Sequence, residues 1–286
     1  VTEGNYLWNN APGGPTYRNW APGEPAQSNN ASADHVQMFS DGLWYPRQDS
    51  FTNFVVVETT APAQVPGEFA SVNDAAAFLE TVGGGVIELA PGDYRVAPTI
   101  DQTVPLTVRG AGAGLTTLRH GVVTSIMFRF GDTLTLEDLR LVPRPGTGLP
   151  LVSPQGGSLR IRRCVIEGHG TNVGISPGSD ARIENTVFRR LGRAISIGSP
   201  QNRLTAVNCV FVDVDAVVGG VNNTVFDFVN CTFVNIAGSE GTWTAVDPRL
   251  VNCVARGINV NFYRAGVTIN SSLLPFGVPG AGNIVG

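Results

Sequence analysis

Between residues 204 and 214 the chain reads LTAVNCVFVDV, with two sets of positions alternating on either side of a central Asn, one wholly apolar and the other led by Thr205. Leu204, Ala206, Cys209 and Phe211 fall on one side, and Thr205, Val207, Val210 and Val212 on the other. This period of two predicts two short strands with Asn208 at the bend between them. Asn enters the left-handed backbone region more readily than most residues, which suits a tight bend. The triplet Val-Asn-Cys stands at 207–209 and recurs at 229–231 and 251–253, an interval of 22 residues. Aligned on the Asn, successive rungs carry Asp138, Arg163, Asn185, Asn208, Asn230, Asn252 and Asn270, at intervals of 18 to 25 residues. The next position holds Leu139, Cys164, Thr186, Cys209, Cys231, Cys253 and Ser271. Two positions further come Leu141, Ile166, Phe188, Phe211, Phe233, Ala255 and Leu273.

Matching columns at such a period predict a solenoid of parallel strands, each coil burying its apolar side against the next. The side-chain amides of Asn185, Asn208, Asn230, Asn252 and Asn270 are expected to form a hydrogen-bonded ladder. Cys164, Cys209, Cys231 and Cys253 are expected as free thiols in an inward stack, a small and readily buried filling. A disulfide or a reactive thiol is the alternative. SVNDAAAFLETV (71–82) predicts a short amphipathic helix with Ser71 as N-cap and Asp74 at the capping-box position. GGGVIELAPGDYRV follows it and would open the first coil, the helix closing an otherwise bare sheet edge.

On FASVNDAAAFLE, GGGVIELAPGDY, LTVRGAGAGLTTLR and the Asn column, residues 69–286 resemble the right-handed parallel β-helix of the pectate-lyase-like superfamily. That superfamily includes lyases, hydrolases, adhesins and phage spikes, so the resemblance implies a fold and leaves function open. The first sixty residues differ, with three of the chain's four Trp and no coil repeat. YRNWAPGEP (17–25), HVQMFSDGLW (35–44) and FVVVE (54–58) resemble the C-terminal half of a C-type-lectin-like domain. The expected fold is therefore mostly β: a right-handed parallel β-helix with an N-terminal capping helix, plus a small α+β lectin-like module. The expected division is 1–61 for that partial module, 62–68 for a Pro- and Ala-rich linker and 69–286 for the solenoid.

In sugar-binding members of the lectin-like family, calcium is held by an EPN-type triplet, a later acidic residue and an Asn-Asp pair after a Trp. Here Glu24 and Pro25 are followed by Ala26, and Trp44 by Tyr45 and Pro46. The resemblance thus implies a degraded site in which Glu24 and Asp34 are the remaining acidic ligands. His35 and Val57 stand where that family's Cys residues are expected.

Composition narrows the choices. Gly and Pro are abundant, at 35 and 19, as expected of many short strands joined by turns. All 19 basic residues are Arg, and the net charge of −4 argues against a general nucleic-acid binder. No apolar stretch is long enough to span a bilayer, and the Cys residues lack zinc-type CxxC spacing. The chain starts at Val1 without Met and ends in what reads as an unfinished coil, so further segments are expected on both sides.

A glycosidase on such a scaffold needs paired carboxylates. Asp213 and Asp215 in FVDVDA are the nearest candidates, yet the column of Asp213 holds Gly168, Arg190, Asn235 and Gly257. A solvated turn is the competing reading. His35, His120 and His169 read as surface or turn residues, and GAGAG (110–114) as a coil-joining turn rather than a phosphate loop. Arg160, Arg162, Arg163, Arg182, Arg189, Arg190, Arg193 and Arg203 crowd together. Of these, Arg160, Arg162, Arg182 and Arg189 are the candidate ligand-binding residues, because guanidinium forks recognise carboxylate or sulfate groups. Glu167, Asp180 and Glu184 could instead neutralise them. Val165, Val187, Val210 and Val254 should point outward beside Val212 and Val234, an apolar strip that suits a partner protein or a second copy.

Three functions remain. One is a secreted or cell-surface binding or scaffold protein, adhesin-like or part of an extracellular assembly, with an acidic glycan as its ligand. The others are a polysaccharide lyase or glycoside hydrolase acting on an acidic chain, and a structural fibre or spike module. Calcium is the one cofactor the resemblance suggests.

Overall fold

The alternation at 204–214 is realised coil by coil. In the strand Arg203–Val207, Leu204 and Ala206 are buried while Arg203 is exposed. The chain bends at Asn208 with φ of 54°, and the strand Val210–Gly220 buries Phe211. Asp138, Arg163, Asn185, Asn230 and Asn252 make the same left-handed bend, with φ between 51° and 57°.

The structure is a computed structural model that describes residues 33–38, 44–48, 62–121, 126–146, 148–178, 180–197, 203–220, 225–237, 243–244, 247–258, 268–270, 273–274 and 284–285. The chain divides into two units, Val1–Glu58 and Thr59–Gly286. In the first, Ala33–Met38 and Trp44–Gln48 form an antiparallel pair, Met38 opposite Trp44, with a register irregularity between Ala33 and His35.

The second unit is a parallel β-solenoid. Its first face is a sheet of ten strands: Ala63–Val65, Gly85–Leu89, Leu106–Arg109, Leu134–Glu137, Leu159–Arg162, Asp180–Glu184, Arg203–Val207, Val225–Val229, Asp247–Val251 and Thr268–Asn270. The second face follows the bend and runs from Gly92–Val96 through Val165–Glu167 to Ile284–Val285. A third set contains Ile100–Gln102, Phe128–Phe130, Pro150–Pro154 and Val173–Ile175. It joins the second through the two long strands Val187–Ile197 and Val210–Gly220, whose distal ends pair Ile195 with Val218.

In-register stacking makes the core. Phe188, Phe211 and Phe233 lie ring on ring, with centroids 5.0 and 5.3 Å apart. Phe228 meets Phe211 and Phe233 edge-on, at 5.8 and 5.7 Å. Each of these rings is fully buried, and burying one contributes roughly 1.5–3 kcal/mol. The helix Val72–Thr81 packs Val72, Ala75, Ala76 and Leu79 against the first strands. Ser71 caps it, accepting from the Asp74 amide at 3.2 Å, and the Asp74 carboxylate accepts from the Ser71 hydroxyl at 2.7 Å.

Two expectations need correction. Residues 62–68 are no simple linker: Ala63–Val65 is a strand of the first face, with Ala63 opposite Ile87 and Val65 opposite Leu89. The Tyr94 hydroxyl donates to the Val65 carbonyl at 3.1 Å, tying the segment to the coil above. Asn270 does not continue the Asn column either. It pairs with Val251, one position short of Asn252.

Candidate functional site

The outward side of the first face is built of columns that run along the solenoid axis. In one, register places Glu88, Arg109, Glu137, Arg162 and Glu184 on successive strands. Arg109 reaches Glu88 and Glu137 at 3.2 Å each, while Arg162 lies 3.5 Å from Glu137 and 3.9 Å from Glu184. Every charge in this column thus faces its opposite one strand away, at a spacing of about 4.8 Å.

Two residues back, the neighbouring column reads Thr107, Thr135, Arg160, Arg182, Thr205, Asp227 and Arg249. Here Arg160 and Arg182 stand side by side, a like-charged pair that costs stability. Arg182 turns to Glu184, at 2.6 Å. Arg160 is exposed, and its side chain has no hydrogen bond or ion pair among the described residues. Arg203 turns to Asp227, at 3.5 Å. Together with Ser158, Asp180, Glu184 and Thr205, these arginines line a concavity of about 610 Å³.

Arg160, Arg162 and Arg182 therefore meet on one face. Arg189 does not join them. It lies beyond the bend on the second face, in register with Glu167. Glu167 is almost fully covered, its side chain 3% exposed, and Arg140, Arg189 and Arg190 close over it, Arg189 at 2.7 Å. A carboxylate so buried needs cations around it, and it takes up the arginine proposed as a ligand group. Of the three acids expected to neutralise the cluster, Glu167 serves the second face and Glu184 the first. The Asp180 side chain has no hydrogen-bond or ion-pair partner among the described residues.

The other candidates fall as follows. Asp213 is a bend residue with φ of 53°, in a second left-handed column with Arg190, Asn235 and Gly257. It accepts from the Asn235 amide at 2.9 Å, which makes it part of a ladder at the bend within the strand Val210–Gly220. Asp215 is exposed. In the first bend column Asn208 donates to Asn185 at 3.3 Å and Asn252 to Asn230 at 2.6 Å. Arg163 there clasps Asp138 through two bonds of 2.7 Å. That clasp holds the Asp138 carboxyl below its usual range.

Cys164, Cys209, Cys231 and Cys253 are free and buried in register along the interior. Burial pushes the Cys164 thiol up to about 12, and the neighbouring thiols Cys209 and Cys253 hold Cys231 protonated, so neither is poised as a nucleophile. His120, expected at the surface, is 6% exposed, and burial and then Arg144 lower its pKa.

Val165, Val187 and Val210 stand in line and half-buried on the second face. Thr232 interrupts the strip before Val254, which is 41% exposed. Glu24 lies outside the described residues, and Asp34 falls at the irregularity of the first unit's strand pair. Among the described residues no helix is long and apolar enough to cross a membrane.

No family model and no curated protein matches the chain by sequence. Solved structures do match it by shape. A pectin methylesterase in complex with a hexasaccharide is similar at TM-score 0.52 and 11% identity, over 80% of this chain and 92% of that one. Pectin methylesterase PemA from Erwinia chrysanthemi is similar at 0.52 and 10% identity, with the same coverage. A PL6 family alginate lyase is similar at 0.53 and 13% identity, over 87% of this chain and 43% of the lyase. The fold is thus a parallel β-solenoid with neighbours in the pectate-lyase-like class.

Proposed function

We propose that the first face of the solenoid binds an acidic polysaccharide, and that the protein is a secreted or cell-surface binding or scaffold protein. The observation that carries this is Arg160. On a face where most charges are paired across the strands, its guanidinium is left open beside Arg182 in a concavity of about 610 Å³. An anion held between the two would relieve their repulsion and use both forks. That neighbours of the same fold include an esterase seen with a hexasaccharide and an alginate lyase supports a carbohydrate occupant by analogy.

Spacing favours binding over cleavage. Asp180 and Glu184, the acids of the concavity, are four residues apart on one strand. That puts their Cα atoms roughly 13 Å apart at about 3.3 Å per residue. Glycosidase carboxyl groups work at about 5–9.5 Å from each other, so the two side chains would have to lean together, and Glu184 instead engages Arg182. In this reading residues 1–61 form a lectin-like adaptor, with Glu24 and Asp34 as the remnant of a calcium site. The valines at 165, 187, 210 and 254 would seat a partner protein or a second copy.

The test is to titrate the protein with polygalacturonate and alginate, with and without calcium, while following chain length in the same samples. Binding without cleavage is expected, weakened about tenfold or more when Arg160→Ala is combined with Arg182→Ala. Cleavage abolished by Asp180→Asn or Asp213→Asn would establish an enzyme instead. No interaction at all would leave a structural fibre or spike module.

A further inference from the structure

We infer that Asp180 decides which acidic chain the first face accepts, admitting carboxylated sugars with free hydroxyls and turning away densely sulfated ones. The inference rests on the binding reading above and concerns the same concavity. Asp180 opens the strand Asp180–Glu184 and is exposed. It lines the concavity with Arg160, Arg162, Arg182 and Arg203. Its in-register neighbour, Arg203, would be the obvious counter-ion, yet Arg203 turns to Asp227 on the far side. The Asp180 carboxylate makes no hydrogen bond or ion pair among the described residues, whereas Glu184 is held by Arg182 at 2.6 Å. The concavity therefore contains one open guanidinium, on Arg160, and one open carboxylate, on Asp180. They lie on adjacent strands and two positions apart, since Ser158 is the residue that aligns with Asp180.

A site built only to attract negative charge gains nothing from an unpaired acid at its rim. A sugar acid explains both groups. Its carboxylate can dock on Arg160 and Arg182, and its ring hydroxyls, on the opposite edge, can donate to Asp180. Asp180 and Arg182 project on the same side of one strand, roughly 6.6 Å apart at Cα, a gap that one sugar ring can span. A sulfate ester on those hydroxyls removes the donor and sets a second negative charge against Asp180. The carboxylate would then act as the repulsive element that gives a binding site its specificity.

The experiment compares polygalacturonate with heparin at one fixed salt concentration, using the full chain, Asp180→Asn and Asp180→Glu. Native protein should prefer polygalacturonate. Asp180→Asn should gain about fivefold or more on heparin without gaining on polygalacturonate, and Asp180→Glu should keep the native preference. Unchanged thermal unfolding of both variants would place the effect at the site. If Asp180→Asn strengthens both chains equally, Asp180 acts only through net charge and the inference fails. If it moves neither, Asp180 does not touch the ligand and the inference fails too. In both cases the binding reading stands. If native protein binds neither chain, the binding reading falls and takes this inference with it.

Discussion

One outward column of the first face changes character halfway along the solenoid. From Glu88 to Glu184 it alternates in sign at every strand, and each Arg is clasped between two acids. Beyond Glu184 the same column continues as Val207, Val229 and Val251. The interior column beside it stays apolar throughout: Ile87, Val108, Leu136, Ile161, Ile183, Ala206, Phe228 and Leu250. A parallel sheet stacks on its buried face, so that side of the repeat is tightly constrained. The outer side is free to be covered by ion pairs in one half and by apolar surface in the other. The open arginine and the open aspartate both lie where the charged half ends.

If the interior is one continuous core, its truncation should cost alike in both halves. Phe211→Ala, in the valine half, removes a ring stacked on both neighbours and should cost about 3–5 kcal/mol. Leu136→Ala, in the charged half, should cost about 2–5 kcal/mol. Denaturant unfolding checks both. A cost under 1 kcal/mol for Leu136→Ala would mean the two halves are separately stabilised.

The exterior, in contrast, should separate the halves by pH. Asp138 has its carboxyl pKa lowered, chiefly by the hydrogen bonds from Arg163, with the charges of Arg163 and Arg109 adding to it. A group depressed on folding stabilises above its unfolded pKa of about 3.9, and that stability is lost as pH falls through the folded value. Acid below about pH 4 should therefore loosen the Asp138–Arg163 bend before the Asn208, Asn230 and Asn252 bends, which carry no titrating group. Hydrogen exchange by region at pH 3 and pH 6 measures this, and equal loss of protection at both sets of bends would contradict it.

Most of the fold is legible in the amino-acid pattern because stacking repeats it. The columns through Cys209 and Phe211, the Ser71 cap and the outward arginines all follow from alternation and spacing. Ala63–Val65 is harder to find, since three residues beside Pro66 carry no period of their own. Asn270 misleads because the last interval is shorter and the register slips by one. The face of Arg189 could have been deduced: it follows the bend residue Asn185, whereas Arg160 precedes Arg163. The state of Glu167 could not, because alternation points it outward and three arginines cover it, all from the coils on either side. The pairing that leaves Arg160 and Asp180 open depends likewise on side-chain choices between strands, which no linear pattern records.

The smallest effect tests whether the two halves differ by design of the sheet or only by what covers it. Val207 follows Glu184 in register, so Val207→Arg would extend the alternation by one strand. With Glu184 already shared between Arg162 and Arg182, the new pair should add only a few tenths of a kcal/mol at low salt, and nothing at high salt. The backbone needs no change, since Arg162 already stands at the same position two strands earlier. If these first-face valines also seat a second copy, this substitution, near-neutral in stability, should abolish concentration-dependent sedimentation while the melting temperature stays constant. If it instead destabilises the isolated chain by more than about 1 kcal/mol, the valines are held by contacts within the chain, and the change of character along the column belongs to its folding rather than to its association.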